Sequence, residues 1–145
     1  MDCQYGIHDI SRIQTDRSTK LPRFNMPLEL GMFLGAKASG NRAQKKKACM
    51  VLDSERYRYQ ALMSDIAGQD IHAHHNTPEA ALKEVRKWLV TCAGATGIPG
   101  GTALWRRYQE FSAEFPRILR DAKLKSNELS FLEYSKIVSQ WTKSR

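Results

Sequence analysis

The chain has 145 residues, 41% of them hydrophobic, with 23 Lys+Arg against 15 Asp+Glu for a formal charge of +8. That length suits one domain with a real core. No apolar run approaches the roughly 18 to 20 residues a bilayer-crossing helix needs, and Met1-Asp2-Cys3-Gln4 lacks the features of a signal peptide, so a soluble, cytoplasmic protein is expected.

The elements follow in chain order. Tyr5 to Ile10 (YGIHDI) reads as a strand running into the polar loop Ser11 to Lys20, which puts Asp9 at the strand's carboxyl end. Leu21 to Lys37 (LPRFNMPLELGMFLGAK) reads as a helix start and its continuation. Pro27 has a φ already near the helical value and no N–H to lose, so it suits the first turn, with Asn25 or Met26 as cap and Glu29 still within that turn. Leu30, Phe33 and Leu34 recur at helical spacing. Gly31 and Gly35 share one stripe, and since each costs a helix about 1 kcal/mol relative to alanine, close approach to a sheet is the expected compensation.

Arg42 to Lys47 (RAQKKK) has no interleaved aromatics and reads as a solvated loop breaking up a sheet edge. Ala48 to Leu52 (ACMVL) is a continuous apolar run ending in Asp53, as a central parallel strand covered on both faces reads. Ser54 is placed to cap a helix over Glu55 to Ala67, with Tyr59, Leu62, Met63 and Ile66 on its apolar face and Gly68 ending it. Asp70 to His74 (DIHAH) is a short strand. Thr77, Pro78 and Glu79 then open a helix to Cys92 whose apolar face is Ala81, Leu82, Val85, Trp88 and Leu89.

Ala93 to Gly101 (AGATGIPGG), with four glycines and a proline, marks a connection. Beyond it the pattern is helical: one helix from Thr102 to Ala113, a further short one starting at Pro116, and a last one opened by the Ser130/Glu133 capping box, with Phe131, Tyr134, Ile137, Val138 and Trp141 as its stripe. The expected fold is α/β: a short parallel sheet of about three strands flanked by helices over residues 1–92, the connection 93–101, and an all-helical extension over 102–145.

In open parallel sheets ligands bind beyond the carboxyl ends of the strands, where helix N-termini also point. Asp9, Asn25, Glu29 and Asp53 all map to that edge, and their convergence carries the functional expectation. Arg56, in the alternating run Arg56-Tyr57-Arg58-Tyr59, is a candidate phosphate contact. Glu29 also reads simply as a carboxylate favoured by the helix dipole, and Asp9 as the cap of the loop after its strand. His72, His74 and His75 form an H-x-H-H cluster in which His72 and His74 would share one strand face and could hold a metal, but no obvious third ligand lies nearby. Cys3, Cys49 and Cys92 are widely separated and in no metal-ligand spacing, so they read as reduced thiols. No nucleophile elbow or P-loop is present, and nothing calls for a cofactor.

Two pieces, YGIHDIS at 5–11 and FNMPLELGMFLGAK at 24–37, followed by the strand ACMVLD, resemble a pattern of nucleoside 2-deoxyribosyltransferases and TIR-like nucleotide-processing proteins. The resemblance covers about residues 5 to 53. It implies N-glycosidic chemistry on a nucleoside or nucleotide, NAD included, in which the Glu29 carboxylate attacks or stabilises C1′ while Asp9 orients the sugar or base and Asn25 holds a sugar hydroxyl. Those families place a strand and a helix ahead of the Asp-Ile-Ser strand. Here Met1 stands four residues before it, so the chain reads as a shortened version or as one whose pocket a partner completes. An open sheet edge predicts a homodimer or heteromer. The absent first strand and the aromatic-rich helical tail (Trp105, Tyr108, Phe111, Phe115, Trp141) leave a non-catalytic nucleotide-sensing or protein-interaction subunit as an alternative, and the charge leaves a basic nucleic-acid binder as a third expectation.

Overall fold

Ala48–Asp53 forms the middle strand, β2, of a three-stranded parallel sheet in the computed structural model, which describes residues 3–13 and 23–144. Tyr5–Asp9 (β1) lies on one side of it and Asp70–Ala73 (β3) on the other, with Ile7 opposite Met50 and Leu52 opposite His72. Residues 49 to 53 are all buried because both faces are covered. Cys49 and Val51 pack with Ile10 under Leu30 and Phe33 of helix α1 (Asn25–Ser39) and beside Ile66. Met50 and Leu52 point the other way, onto Trp88 of α3 (Pro78–Cys92), flanked by Val85 and Leu89. The alternation of side chains along a strand thus converts one apolar run into two cores. The expected α/β architecture is observed, with the loop residues 14–22 lying outside the described residues.

β1 shows how closely α1 sits. A Cβ on Gly6 would fall 2.8 Å from both the His8 ring and the Phe33 ring, so only glycine fits between the strand and the helix. On the opposite face Tyr5 meets Trp88 edge-on at 6.0 Å.

Several expectations need correction. α1 starts earlier than the proline suggests: Phe24 is the N-cap, no side chain caps the end, and the Leu28 N–H donates to the Phe24 carbonyl. Pro27 is therefore the third helical residue, still where its missing N–H costs nothing, and Glu29 falls in the second turn rather than the first. Among the described residues Gly31 and Gly35 approach nothing: an added Cβ meets no described atom within 4 Å at either, and the expected contact with the sheet is not made. They lie on an exposed stripe with Phe24, Leu28 and Met32, whose exposures are 62%, 65% and 58%.

The helix expected over 55–67 is reduced to α2 (Tyr59–Leu62) and a 3-10 turn at Ser64–Ile66. Tyr57 at φ 65° breaks the helical path and swings Arg58 inward, while Tyr59, Met63 and Ile66 still reach the core, so the period identified the buried side chains but not the backbone. Ser54 makes no helix cap; its N–H donates to Asp53.

The chain divides into two compact units after Gly101. In the second, Gly101–Asp121 is a single helix, α4, that runs through Pro116, where a new helix was expected. An interior proline costs about 3 kcal/mol, and packing offsets it: Phe111 and Phe115, in the turns just before it, lie against each other with tilted rings and both meet Tyr134 of α5 (Phe131–Lys143) edge-on, and Phe111 also meets Trp141 at 5.3 Å. The Trp141 indole donates to Glu114 at 3.0 Å. The Ser130/Glu133 capping box is present with both of its hydrogen bonds.

The open surroundings of Gly31 and Gly35 yield a prediction. Gly31→Ala and Gly35→Ala should each stabilise the chain by about 0.5–1 kcal/mol, the helix-propensity gain with no steric cost. Urea unfolding midpoints measure it; a lower midpoint would show that this stripe is occupied.

Candidate functional site

The carboxyl end of the sheet is held together by side chains. Arg58 donates from Nε to Asp53 Oδ1 at 2.8 Å, and its Nη2 donates both to that oxygen and to the Ile10 carbonyl at 2.9 Å. It thereby ties the exit of β1 to the end of β2. Asp53 is fully buried and also accepts from the Ser54 N–H at 2.6 Å, while its Oδ2 has no hydrogen-bond partner among the described residues. This carboxylate is a structural ion-pair partner, shut off from any ligand that does not first displace Arg58.

Asp9 occupies a different position. Its Oδ1 accepts from the Ser11 N–H at 2.9 Å, shaping the turn that leaves β1, and lies 3.5 Å from His74 Nε2. His74 is buried just beyond β3, and its Nδ1 accepts from the Asn76 N–H at 3.1 Å. That bond places the neutral ring's proton on Nε2, facing Asp9. The aspartate caps its loop, as the plainer of its two readings has it, and also lines a cleft.

This cleft, of about 470 Å³, is bounded by Asp9, Arg12, Ile13, Arg23, Asn25, Met26 and Glu29. Asn25 is the first residue of α1 and Glu29 lies four later, so both side chains share one helix face turned to the strand end that carries Asp9. Two carboxylates thus face a hollow with two guanidiniums, at a helix N-terminus with no side-chain cap and no acidic residue in its first turn. Such a set can hold a polar ligand of mixed charge: the arginines and free N–H groups suit anionic oxygens, the carboxylates hydroxyl groups or developing positive charge.

Of the five residues expected at the site, Asp9, Asn25 and Glu29 come together. Arg56 lines a separate hollow with Gln69 and Ile71, its guanidinium 5.9 Å from the Tyr57 ring. Asp53 serves the fold. Arg12 and Arg23 were not expected there, and in the sequence Arg58 stands out only as part of the run around Arg56 and His74 only as part of the histidine cluster. No local signal separates Arg58 from Arg56, because the choice between them is made by the left-handed residue Tyr57.

Behind the cleft sits His8, buried against Phe33 at 5.4 Å, with neither ring nitrogen hydrogen-bonded among the described residues. Burial pushes its imidazole below the ordinary value, opposed by the Glu29 carboxylate, so the charge of Glu29 is felt inside the sheet. His72 does not join a metal site with His74: its two nitrogens lie 2.6 Å from Glu84 and 2.7 Å from Asp70, and no group of three potential ligands among the described residues is placed to hold a metal ion. Among those residues no helix is long and apolar enough to cross a membrane.

No family model matches the chain, and no curated protein or solved structure matches it significantly.

The two arginines of the Arg56–Arg58 run should separate sharply on substitution. Arg58→Ala strands Asp53 as a buried, unpaired charge and should cost about 3–5 kcal/mol, whereas Arg56→Ala should stay within about 0.5 kcal/mol. Chemical denaturation of both variants tests this, and equal effects would refute the assignment.

Proposed function

We propose that the cleft at the carboxyl end of the sheet binds a nucleoside or nucleotide, NAD among the candidates, and breaks or exchanges its N-glycosidic bond. The observation that carries this reading is the meeting of Asp9, Asn25 and Glu29 in one cleft of about 470 Å³, a size in the usual range of small-ligand sites. The resemblance of residues 5 to 53 to deoxyribosyltransferases and TIR-like proteins supplies the type of reaction.

In this chemistry the C1′–N bond breaks with its electron pair leaving on the base, and positive charge develops on the sugar. A carboxylate beside C1′ stabilises that charge in the transition state, or captures C1′ and is released when water or a second base attacks. Glu29 takes this role. Asp9, held at one oxygen by the Ser11 N–H, orients the sugar or base, and Asn25 holds a hydroxyl. Incubation with NAD and a nucleoside panel should release free base, and Glu29→Gln should lower the rate by about 10²–10³-fold. Release unaffected by Glu29→Gln would remove this role.

A binding subunit without chemistry is the second reading, favoured by the exposure of Glu29 and by the apolar side chains that α5 presents, Phe131 at 85% and Leu132 at 63%. Ligand binding seen by calorimetry without turnover would select it.

Either way the sheet calls for a partner. Among the described residues β1 and β3 are the outer strands, each paired on one side, and Tyr5 and Ile7 of β1 are exposed. Paired or covered edges are the usual solution, so the chain is expected to form a homodimer or heteromer there. A mass measured by light scattering at micromolar concentration should exceed that of one chain; a stable monomer would rule out self-association.

A further inference from the structure

A second cavity, of about 530 Å³, lies at the other end of the sheet, at the amino ends of β1 and β2, and is lined by Cys3, Gln4, Arg42, Gln44, Lys46 and Lys47, with Ala43 between. We propose that this cavity is an anion site for a small phosphorylated ligand of diphosphate type, separate from the cleft around Glu29.

The first argument is charge. From Leu30 to Leu52 the sequence has no aspartate or glutamate, yet it carries Lys37, Arg42, Lys45, Lys46 and Lys47. No carboxylate lies within this segment itself. Parallel strands bring the amino ends of β1 and β2 together, so the loop entering β2 curls its cations around the residues that precede β1.

The second is that the loop is built. A Cβ on Gly40 would lie 2.3 Å from the Ala36 carbonyl oxygen and 2.5 Å from Gln44 Cβ, so glycine permits a turn that brings Gln44 against the end of α1. Asn41 Oδ1 accepts from the Ala43 and Gln44 N–H groups at 3.0 and 3.1 Å, and the Lys45 and Lys47 N–H groups donate to the carbonyls of Asn41 and Gln44. Lys47 is buried, its ammonium 4.9 Å from the Phe33 ring centre and donating to the Cys3 carbonyl. A merely solvated run would leave its lysines splayed into water. Here one is fixed in the floor, and Arg42 and Lys46 stand exposed at the cavity.

The third is what the lining lacks. It contains no aromatic side chain on which a base could stack, and its cations come from six consecutive residues around one hollow rather than from a stripe along the surface. Single-stranded nucleic acid is held by stacking along a charged groove, and duplexes by cations spread along the backbone. Arginine and lysine converging with side-chain amides suit the clustered oxygens of a diphosphate instead.

The test uses the full chain and inorganic pyrophosphate as probe, in calorimetry at low salt. To silence the arginines of the other cleft it is run on Arg12→Ala/Arg23→Ala, with Arg42→Ala/Lys46→Ala then added; all four side chains are exposed, and matching melting curves confirm folding. Pyrophosphate should bind the first variant and bind the second at least about tenfold more weakly. Equal binding by the two variants, or no binding to the first, overturns the proposal. Retention of a single-stranded oligonucleotide by the first variant without pyrophosphate binding overturns it as well, in favour of a polyanion surface.

Discussion

Burial of β2 on both faces is the constraint on which the rest depends. A strand covered by α1 on one side and α3 on the other must be apolar at every position, and Cys49 to Leu52 meet that demand. Its last residue does not: Asp53 carries a carboxylate into a place with no solvent contact. Such a charge is tolerated only with a partner of opposite sign and several hydrogen bonds. Arg58 supplies the charge, and by reaching the Ile10 carbonyl with the same guanidinium it fixes where β1 ends relative to β2. The backbone break at Tyr57, φ 65°, accompanies the inward turn of Arg58. One buried ion pair therefore sets the exit of β1, and with it the place of Asp9.

The polarity of the sheet then distributes charge. With the strands parallel, the carboxyl end collects Asp9, His74 and the start of α1, and the amino end collects the basic loop that follows α1. The helix dipole runs the same way. Its positive end faces the cleft, where Asn25 and Glu29 sit, and its negative end faces Lys37 in the last turn and the cations beyond. A hollow of mixed charge and a basic one at opposite ends of one helix are what this topology produces when the loop entering β2 is basic and the loop leaving β1 carries both an aspartate and an arginine.

Much of this was legible in the residues, and the limits have identifiable causes. The middle strand, the helix over 78–92 and the Ser130/Glu133 cap carry strong local signals: an unbroken apolar run, proline at N1, a reciprocal pair of hydrogen bonds; β1 and β3 are short and interrupted by polar residues, and their signals are weaker. The convergence of Asp9, Asn25 and Glu29 needed only the assumption that strands and helices alternate around a parallel sheet. Arg58 and Asp53 were beyond reach, because a single left-handed residue decides which arginine turns in, and nothing in the run Arg56-Tyr57-Arg58 marks Tyr57 as that residue. Pro116 misled for the opposite reason. It is a genuine local breaker, overridden by aromatic packing between Phe111, Phe115 and the residues of α5 that no local pattern displays.

The glycines of α1 raise a different question. They lower helix stability and meet no described residue in return, while Phe24, Leu28 and Met32 expose apolar surface on the same stripe. Scattered exposed apolar residues need no explanation, but five positions at helical spacing on one face form a continuous patch. The same helix carries Asn25 and Glu29 on the cleft and Leu30 and Phe33 in the core. Any chain packing on the glycine stripe would therefore bear on the backbone that positions Glu29.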